Sequence, residues 1–175
     1  MTWLFYAVLT MISWGLYGVF LHVGQIAMGD PIHGRYKAFL LVGVAYFLIA
    51  VLWPAGMMMA KGATWTFTTK GLGWSLFAGI LGAIGAFGVI LAFGAKGSPS
   101  VVMSIVFAGA PIINAISAMM IYPPAGGLSS LRWQFIAGIF LAALGGFLVT
   151  LYKPPPSAPS SKPSLQVMEH HKNFK

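Results

Sequence analysis

Cysteine is absent from all 175 residues of the sequence. Without a thiol the chain forms no disulfide bond, binds no metal through thiolates and performs no cysteine catalysis. The sequence also contains no nucleophile spaced with a base, no glycine-rich phosphate loop and no cluster of metal-binding side chains. These residues therefore give no indication of enzymatic activity, and we expect neither catalysis nor a cofactor.

Acidic residues are almost as scarce, since Asp30 and Glu169 stand against ten lysines and arginines. Neither acid lies within an apolar segment, which excludes the proton relay that many pumps build from buried carboxylates. The basic residues give a net charge of +8 but are scattered between apolar segments. Because they form no continuous stripe, we expect no nucleic-acid partner.

Charged residues of both signs make up only 7% of the chain, whereas hydrophobic residues make up 58%. Soluble domains carry about a quarter charged residues, so this composition is too poor in polar groups to coat a globule. Five apolar segments approach the roughly 20 residues of a membrane-spanning helix: residues 3–23, 38–59, 71–95, 99–121 and 131–152. We therefore predict an all-α integral membrane protein, a bundle of five transmembrane helices in a lipid bilayer over residues 1–152. No lysine or arginine precedes the first segment, so it is interpreted as a helix and not as a removed leader.

The last part of the chain, residues 153–175, has a different composition. It is rich in proline and serine and has no hydrophobic periodicity, which predicts a disordered tail. His170 and His171 are adjacent in this tail and could ligate a metal. A metal site normally needs further converging ligands, so we expect none here.

The distribution of positive charge predicts the orientation of the helices. Five spans place the two ends of the chain on opposite sides, and residues within roughly 20 positions of a span are the ones that count. One side then carries five basic residues, Arg35, Lys37, Lys96, Lys153 and Lys162, and the other carries three, Lys61, Lys70 and Arg132. This bias predicts a cell-membrane protein with its N-terminus outside and its tail in the cytoplasm.

The fourth apolar segment contains the two residues that are least expected in hydrocarbon. Pro111 lacks a backbone donor and predicts a kink, and Asn114 brings a carboxamide that needs partners where water is scarce. Helical spacing places Ser104 on the same face as these two residues. This face either lines a cavity, or Asn114 joins helices through a hydrogen bond. The sequence is compatible with both interpretations.

Two aromatic residues of the first segment, Trp14 and Tyr17, are three positions apart and could face the same cavity. Packing in the bundle is the alternative for both. Rows of small residues four apart, such as Gly138, Ala142 and Gly146, indicate close helix packing within one protomer or across a dimer. The candidate substrate-binding residues are therefore Trp14, Tyr17, Ser104 and Asn114.

Several of these segments resemble EamA-type proteins of the drug/metabolite transporter superfamily. Residues 13–18 (Ser-Trp-Gly-Leu-Tyr-Gly) are similar to the family's first helix. Residues 99–104 together with 109–115 resemble its fourth helix, which has a proline at mid-span. Residues 133–138 and 145–149 resemble its closing helix. The family usually has a glutamate after the fourth helix, where this chain has tyrosine and two prolines.

The resemblance implies a half-transporter, because family members contain two inverted five-helix repeats with the substrate between them, and this sequence contains one. We therefore expect a homo- or hetero-oligomer that binds a small-molecule substrate near mid-membrane. The first hypothesis is a permease subunit that moves a small metabolite or organic solute by alternating access, through facilitated diffusion or ion coupling. The alternative is a non-transporting scaffold or accessory subunit whose proline-rich tail recruits a partner.

Overall fold

The computed structural model of the protein describes residues 2–127 and 130–153. Its elements in these two stretches are α1 (Thr2–Ala27), α2 (Gly34–Phe47), a π-helical turn (Leu48–Leu52), α3 (Trp53–Ala60), α4 (Thr69–Gly94), α5 (Pro99–Ile121) and α6 (Trp133–Leu151). The elements from α2 to α3 form one helix, Gly34–Ala60. This part of the chain thus has five helices long and apolar enough to cross a membrane. The predicted all-helical fold with five such helices is confirmed. The tail predicted over residues 153–175, with His170 and His171, lies outside the described residues except for Lys153.

The first helix is longer than its apolar pattern predicts. α1 continues to Ala27, beyond the expected end at residue 23, and its last turns contain the half-buried His22 and Gln25. This region packs closely on the start of α2: the carbonyl oxygen of Gln25 lies 2.9 Å from the point that a Cβ atom on Gly34 would occupy. Because Gly34 has no side chain, the two helices can approach there, and Gln25, which lies beyond the predicted end, is part of a packed helix.

The second long helix contains an irregularity that its apolar pattern does not predict. Residues 48–52 form a π-helical turn, in which the backbone N–H of Trp53 donates to the carbonyl oxygen of Leu48. Pro54 follows this turn. In a regular α-helix its ring would press against the carbonyl of the residue four positions earlier. The wider π turn avoids that contact, and such turns are a recognised cause of helix bending.

The buried core of the described chain lies at one end of the bundle, where α1, α2, α4 and α5 meet. Its members are Leu21, Ala38, Val89, Ile90, Phe93 and Met103. They belong to the last turns of α1 and α4 and the first turns of α2 and α5, so we name this the closed end. At the opposite, open end, residues 2–16 of α1 and 69–85 of α4 are all exposed although mostly apolar. These surfaces have no partner within the described part of the subunit.

Two glycines allow the helices around α5 to touch. A Cβ atom on Gly18 of α1 would lie 2.5 Å from Cγ of Met103, and one on Gly146 of α6 would overlap the Cβ of Ala108. Close approach at small residues is the main way in which apolar helices associate in lipid. Among the described helices α6 contacts α5 alone. The Gly146–Ala108 contact therefore positions α6 against the rest of the bundle.

The turn between α1 and α2 is organised by Asp30. Its Oδ1 accepts hydrogen bonds from the backbone N–H groups of Ile32, at 3.1 Å, and His33, at 2.8 Å. Its Oδ2 accepts a bond of 2.7 Å from Nζ of Lys37, and Gly29 turns the chain with a φ of 63°. The Lys37 hydrogen bond and then the His33 bond hold the pKa of the Asp30 carboxyl well below its usual range.

Candidate functional site

A groove with a volume of about 800 Å³ lies between α5 and α6 on the open side of their contact. We name it the α5–α6 groove. Its lining includes Pro111, Asn114 and Ala118 of α5 and Gln134, Gly138 and Ala142 of α6. α6 touches α5 tightly at Gly146, and the small residues Gly138 and Ala142 leave the space beyond that contact open. The row of small residues on α6 thus packs against α5 at one end and leaves open space at the other.

The helix around Pro111 is continuous, since α5 runs from Pro99 to Ile121 with this proline inside it. A proline at this position donates no backbone hydrogen bond and leaves the carbonyl of Phe107 without its usual partner. Pro111 itself lines the α5–α6 groove. The predicted kink near Pro111 stays a prediction, and the proline contributes to the groove directly through its ring.

Two carboxamides line the α5–α6 groove together with the phenol of Tyr122. Asn114 lines it from α5 and Gln134 from α6. Both residues are exposed, and neither carboxamide makes a hydrogen bond to another residue in the described stretches. Each can donate and accept. No charged residue of the described chain lines the groove, so it is suited to an uncharged solute with an apolar body and a polar group.

Trp14 and Tyr17 lie together on α1, with their ring centroids 5.6 Å apart. Tyr17 packs against the core and lines a smaller groove of about 310 Å³ between α1 and α2. Its hydroxyl oxygen is buried and has no hydrogen-bond partner among the described residues. A buried hydroxyl without a partner carries a free-energy penalty of about 1–3 kcal/mol, which a polar ligand atom would remove.

Ser104 has a different environment from Asn114, although both lie on α5. Its hydroxyl donates a 2.6 Å hydrogen bond to the carbonyl oxygen of Ser100, one turn earlier in the same helix. Its own carbonyl oxygen lies 3.3 Å from the point that a Cβ on Gly146 would occupy. Ser104 is therefore part of the tight contact between α5 and α6, and it is not a lining residue of the α5–α6 groove.

The four predicted site residues thus do not line a single groove of this subunit. Asn114 lies in the α5–α6 groove, Tyr17 with its neighbour Trp14 lies near the α1–α2 groove, and Ser104 lies at a helix contact. Gln134 is the polar residue that sequence reasoning did not select. An available signal was its position in the first turn of α6, which an antiparallel hairpin brings near the end of α5. Within the described stretches no three His, Asp or Glu side chains are grouped so that they could hold a metal ion.

Comparison with models of protein families, with curated proteins and with solved structures gives no match to this chain. The class that the structure defines is an all-helical protein with five helices long and apolar enough to cross a membrane. The resemblance to EamA-type proteins rests on the sequence motifs alone.

Proposed function

We propose that this protein is a permease subunit of the cell membrane, a half-transporter that moves a small metabolite or organic solute by alternating access. The observation that carries the proposal is the α5–α6 groove, where the carboxamides of Asn114 and Gln134 lack hydrogen-bond partners among the described residues. Ligand sites are typically apolar clefts with a few well-placed polar groups. The motifs that resemble EamA-type transporters favour the same function.

The binding step follows from the chemistry of the groove. The apolar body of the solute lies against the small side chains of Ala118 and Ala142, while its polar group exchanges hydrogen bonds with Asn114 and Gln134. Such hydrogen bonds contribute about 1 kcal/mol each, which gives selectivity without tight binding. A weakly bound solute can leave on the other side, as a transporter requires. The absence of carboxylates from the spans favours facilitated diffusion, or ion coupling through backbone and hydroxyl oxygens.

The proposal requires a second subunit, identical or related, to cover the open end. The apolar residues 2–16 and 69–85 are exposed there, and another chain would bury them. In such an assembly Trp14 and Tyr17 line a further part of the path. Ser104 can donate to a solute only when its hydroxyl leaves the carbonyl of Ser100. The inverted repeats of transporters place the substrate at an interface of this kind.

The proposed orientation has the closed end in the cytoplasm. This end carries Arg35, Lys37, Lys96 and Lys153, and the open end carries Lys61, Lys70 and Arg132. The positive-inside rule favours the cytoplasm for the side with more basic residues. A reporter that is active only outside the cytoplasm should be inactive when fused after Lys175.

The experiment that tests the proposal uses purified full-length protein in two stages. Its thermal stability is first screened against a library of uncharged metabolites, because a ligand that binds the native state raises the melting temperature. Uptake of each stabilising compound into proteoliposomes that contain the protein is then measured. Asn114→Leu should abolish uptake and remove the thermal shift, while Ser117→Leu, the matched change at a residue outside the groove, should preserve both. Equal uptake by wild-type protein and Asn114→Leu would count against the assignment.

A further inference from the structure

Three polar side chains at the closed end have buried atoms without hydrogen-bond partners among the described residues. They are Nδ1 of His22 and Oε1 of Gln25 on α1, and Nε of Arg35 on α2. Buried polar atoms in folded proteins are nearly always paired, so a group of three such atoms needs an explanation. None of these residues lines the α5–α6 groove.

Two of these side chains pack against adjacent residues in the last turn of α4. The ring of His22 packs edge-on against Phe93, with centroids 5.2 Å apart. The guanidinium of Arg35 passes over the next residue, Gly94, where a Cβ atom would lie 2.8 Å from Nη1 and 3.1 Å from Cδ. Gln25 approaches Gly34, which directly precedes Arg35, through its backbone carbonyl oxygen and not through its side chain. Arg35 and His22 are therefore the two whose side chains meet at the end of α4.

Arg35 has no counter-ion in the described structure. The one described acid, Asp30, is occupied by Lys37 at 2.7 Å and by the His33 backbone N–H at 2.8 Å. Apart from its contact with Gly94, the guanidinium lies over the ring of Tyr36, with Cζ 5.1 Å from the centroid. The buried Nε of this guanidinium has no acceptor among the described residues, and a buried donor without a partner is costly. An anion that supplies acceptor oxygens would remove this cost.

We propose that Arg35, with the His22 ring packed on the adjacent residue of α4, binds a phosphate group at the closed end of the bundle. The planar guanidinium presents parallel N–H groups that match two phosphate oxygens, which is the reason for selecting phosphate among anions. The phosphate belongs either to the headgroup of a membrane lipid or to a soluble phosphate compound. Arg35 lies in the first turn of a helix that is long enough to span a bilayer, where basic side chains meet lipid headgroups. The site is separate from the α5–α6 groove and does not depend on transport.

The test measures anion binding by the full-length protein in a non-ionic detergent. Its melting temperature is recorded while phosphatidylglycerol, phosphatidylcholine or inorganic phosphate is added at constant ionic strength. We expect a saturable rise in the wild-type protein. A rise with phosphatidylglycerol but not with inorganic phosphate identifies a lipid headgroup, and a rise with inorganic phosphate identifies a soluble compound. No rise with any of the three would overturn the proposal.

Four variants distinguish specific binding at Arg35 from a general attraction of anions to the positively charged surface. Arg35→Gln should weaken binding about tenfold or more, because hydrogen bonds to charged groups are the strong ones. Lys153→Gln removes the same charge from the same end of the bundle. It should leave unchanged the anion concentration at which the rise in melting temperature is half complete. Gly94→Ala should displace the guanidinium and weaken binding, whereas Gly88→Ala, at a glycine with open space around it, should not.

The design remains informative if Arg35→Gln fails to fold. Arg35→Lys keeps the positive charge but loses the two parallel donors, so it should bind phosphate more weakly than wild type, and Gly94→Ala leaves the arginine in place. If Arg35→Gln and Lys153→Gln weaken binding equally, the attraction is a property of the whole surface and the proposal is wrong. The proposal is also wrong if Gly94→Ala binds as Gly88→Ala does.

Discussion

Asn114 on α5 and Gln134 on α6 line one groove from its two helices, and neither carboxamide is hydrogen-bonded within the described chain. Carboxamides in apolar surroundings are stable only when something satisfies them, whether a ligand, water or another chain. We therefore expect a further molecule to form hydrogen bonds with this pair. If the groove binds a solute, both residues should contribute to its affinity.

Replacing Gln134 should weaken the binding of a solute that occupies the groove. Gln134→Leu removes a donor and an acceptor and is expected to raise the dissociation constant about fivefold, the equivalent of one hydrogen bond of about 1 kcal/mol. Titration of the thermal shift with a hit from the screen measures the change. Thr150→Val is the control on the same helix, since the Thr150 hydroxyl already donates to the carbonyl of Gly146 at 2.8 Å. Unaltered affinity in Gln134→Leu would remove this residue from the site.

Adding one methyl group at Gly146 should destabilise the contact between α5 and α6. A Cβ atom there overlaps the Cβ of Ala108, and overpacking of this kind costs roughly 1–3 kcal/mol. Gly146→Ala should therefore lower the melting temperature of the purified protein. The adjacent Gly145 has open space at its Cβ position, so Gly145→Ala is a closely matched control and should retain the wild-type value. Equal melting temperatures for the two variants would contradict the observed packing.

Asp30→Asn should lower the thermal stability at pH 7, and the loss should shrink in acid. The hydrogen bonds from Lys37 and His33 hold the pKa of the Asp30 carboxyl below its usual range in the folded state. A lowered folded-state pKa means that the carboxylate stabilises the fold fully above the unfolded pKa of about 3.9, and that this stabilisation disappears as the pH falls through the folded-state pKa. Melting curves of wild type and variant from pH 7 downwards measure the difference. Curves that stay equally far apart at every pH would argue against a role for the ionised carboxylate.

Deleting residues 154–175 distinguishes the two functions that the sequence leaves open. A permease subunit should keep its uptake activity and its ligand-induced thermal shift, because the groove lies entirely within α5, α6 and their connection. A scaffold that recruits a partner through its tail should lose that partner. Uptake in proteoliposomes and co-purification of partners from membranes measure the two outcomes. Loss of uptake on deletion would contradict a groove that acts independently of the tail.

The number and the type of the helices could be predicted from the sequence because both depend on local properties. An apolar run near 20 residues and the scarcity of charge are sufficient to indicate a spanning helix. Helix ends were less predictable: α1 continues to Ala27 because contact with Gly34 stabilises a turn that its composition does not favour. The π turn before Pro54 was not predicted either, since hydrophobicity is nearly the same on either side of it.

The arrangement of the site was harder to predict, because it depends on how separate helices pack. Helical spacing places Ser104 and Asn114 on one face of α5, but that face meets α6 tightly near Ser104 and leaves it near Asn114. Gln134 lines the groove only because α5 and α6 separate there. The positions of His22 and Arg35 against adjacent residues of α4 also depend on packing among α1, α2 and α4. No periodicity within a single helix contains that information.

The single contact surface of α6 has a consequence for how the protein assembles. Because α6 touches α5 alone among the described helices, the buried core at the closed end contains none of its residues. A substitution on the outer side of α6 therefore changes no residue of that core, and we expect the closed end to pack as before. If the proposed second subunit also contacts that side of α6, its identity can change while the fold that supports it stays the same.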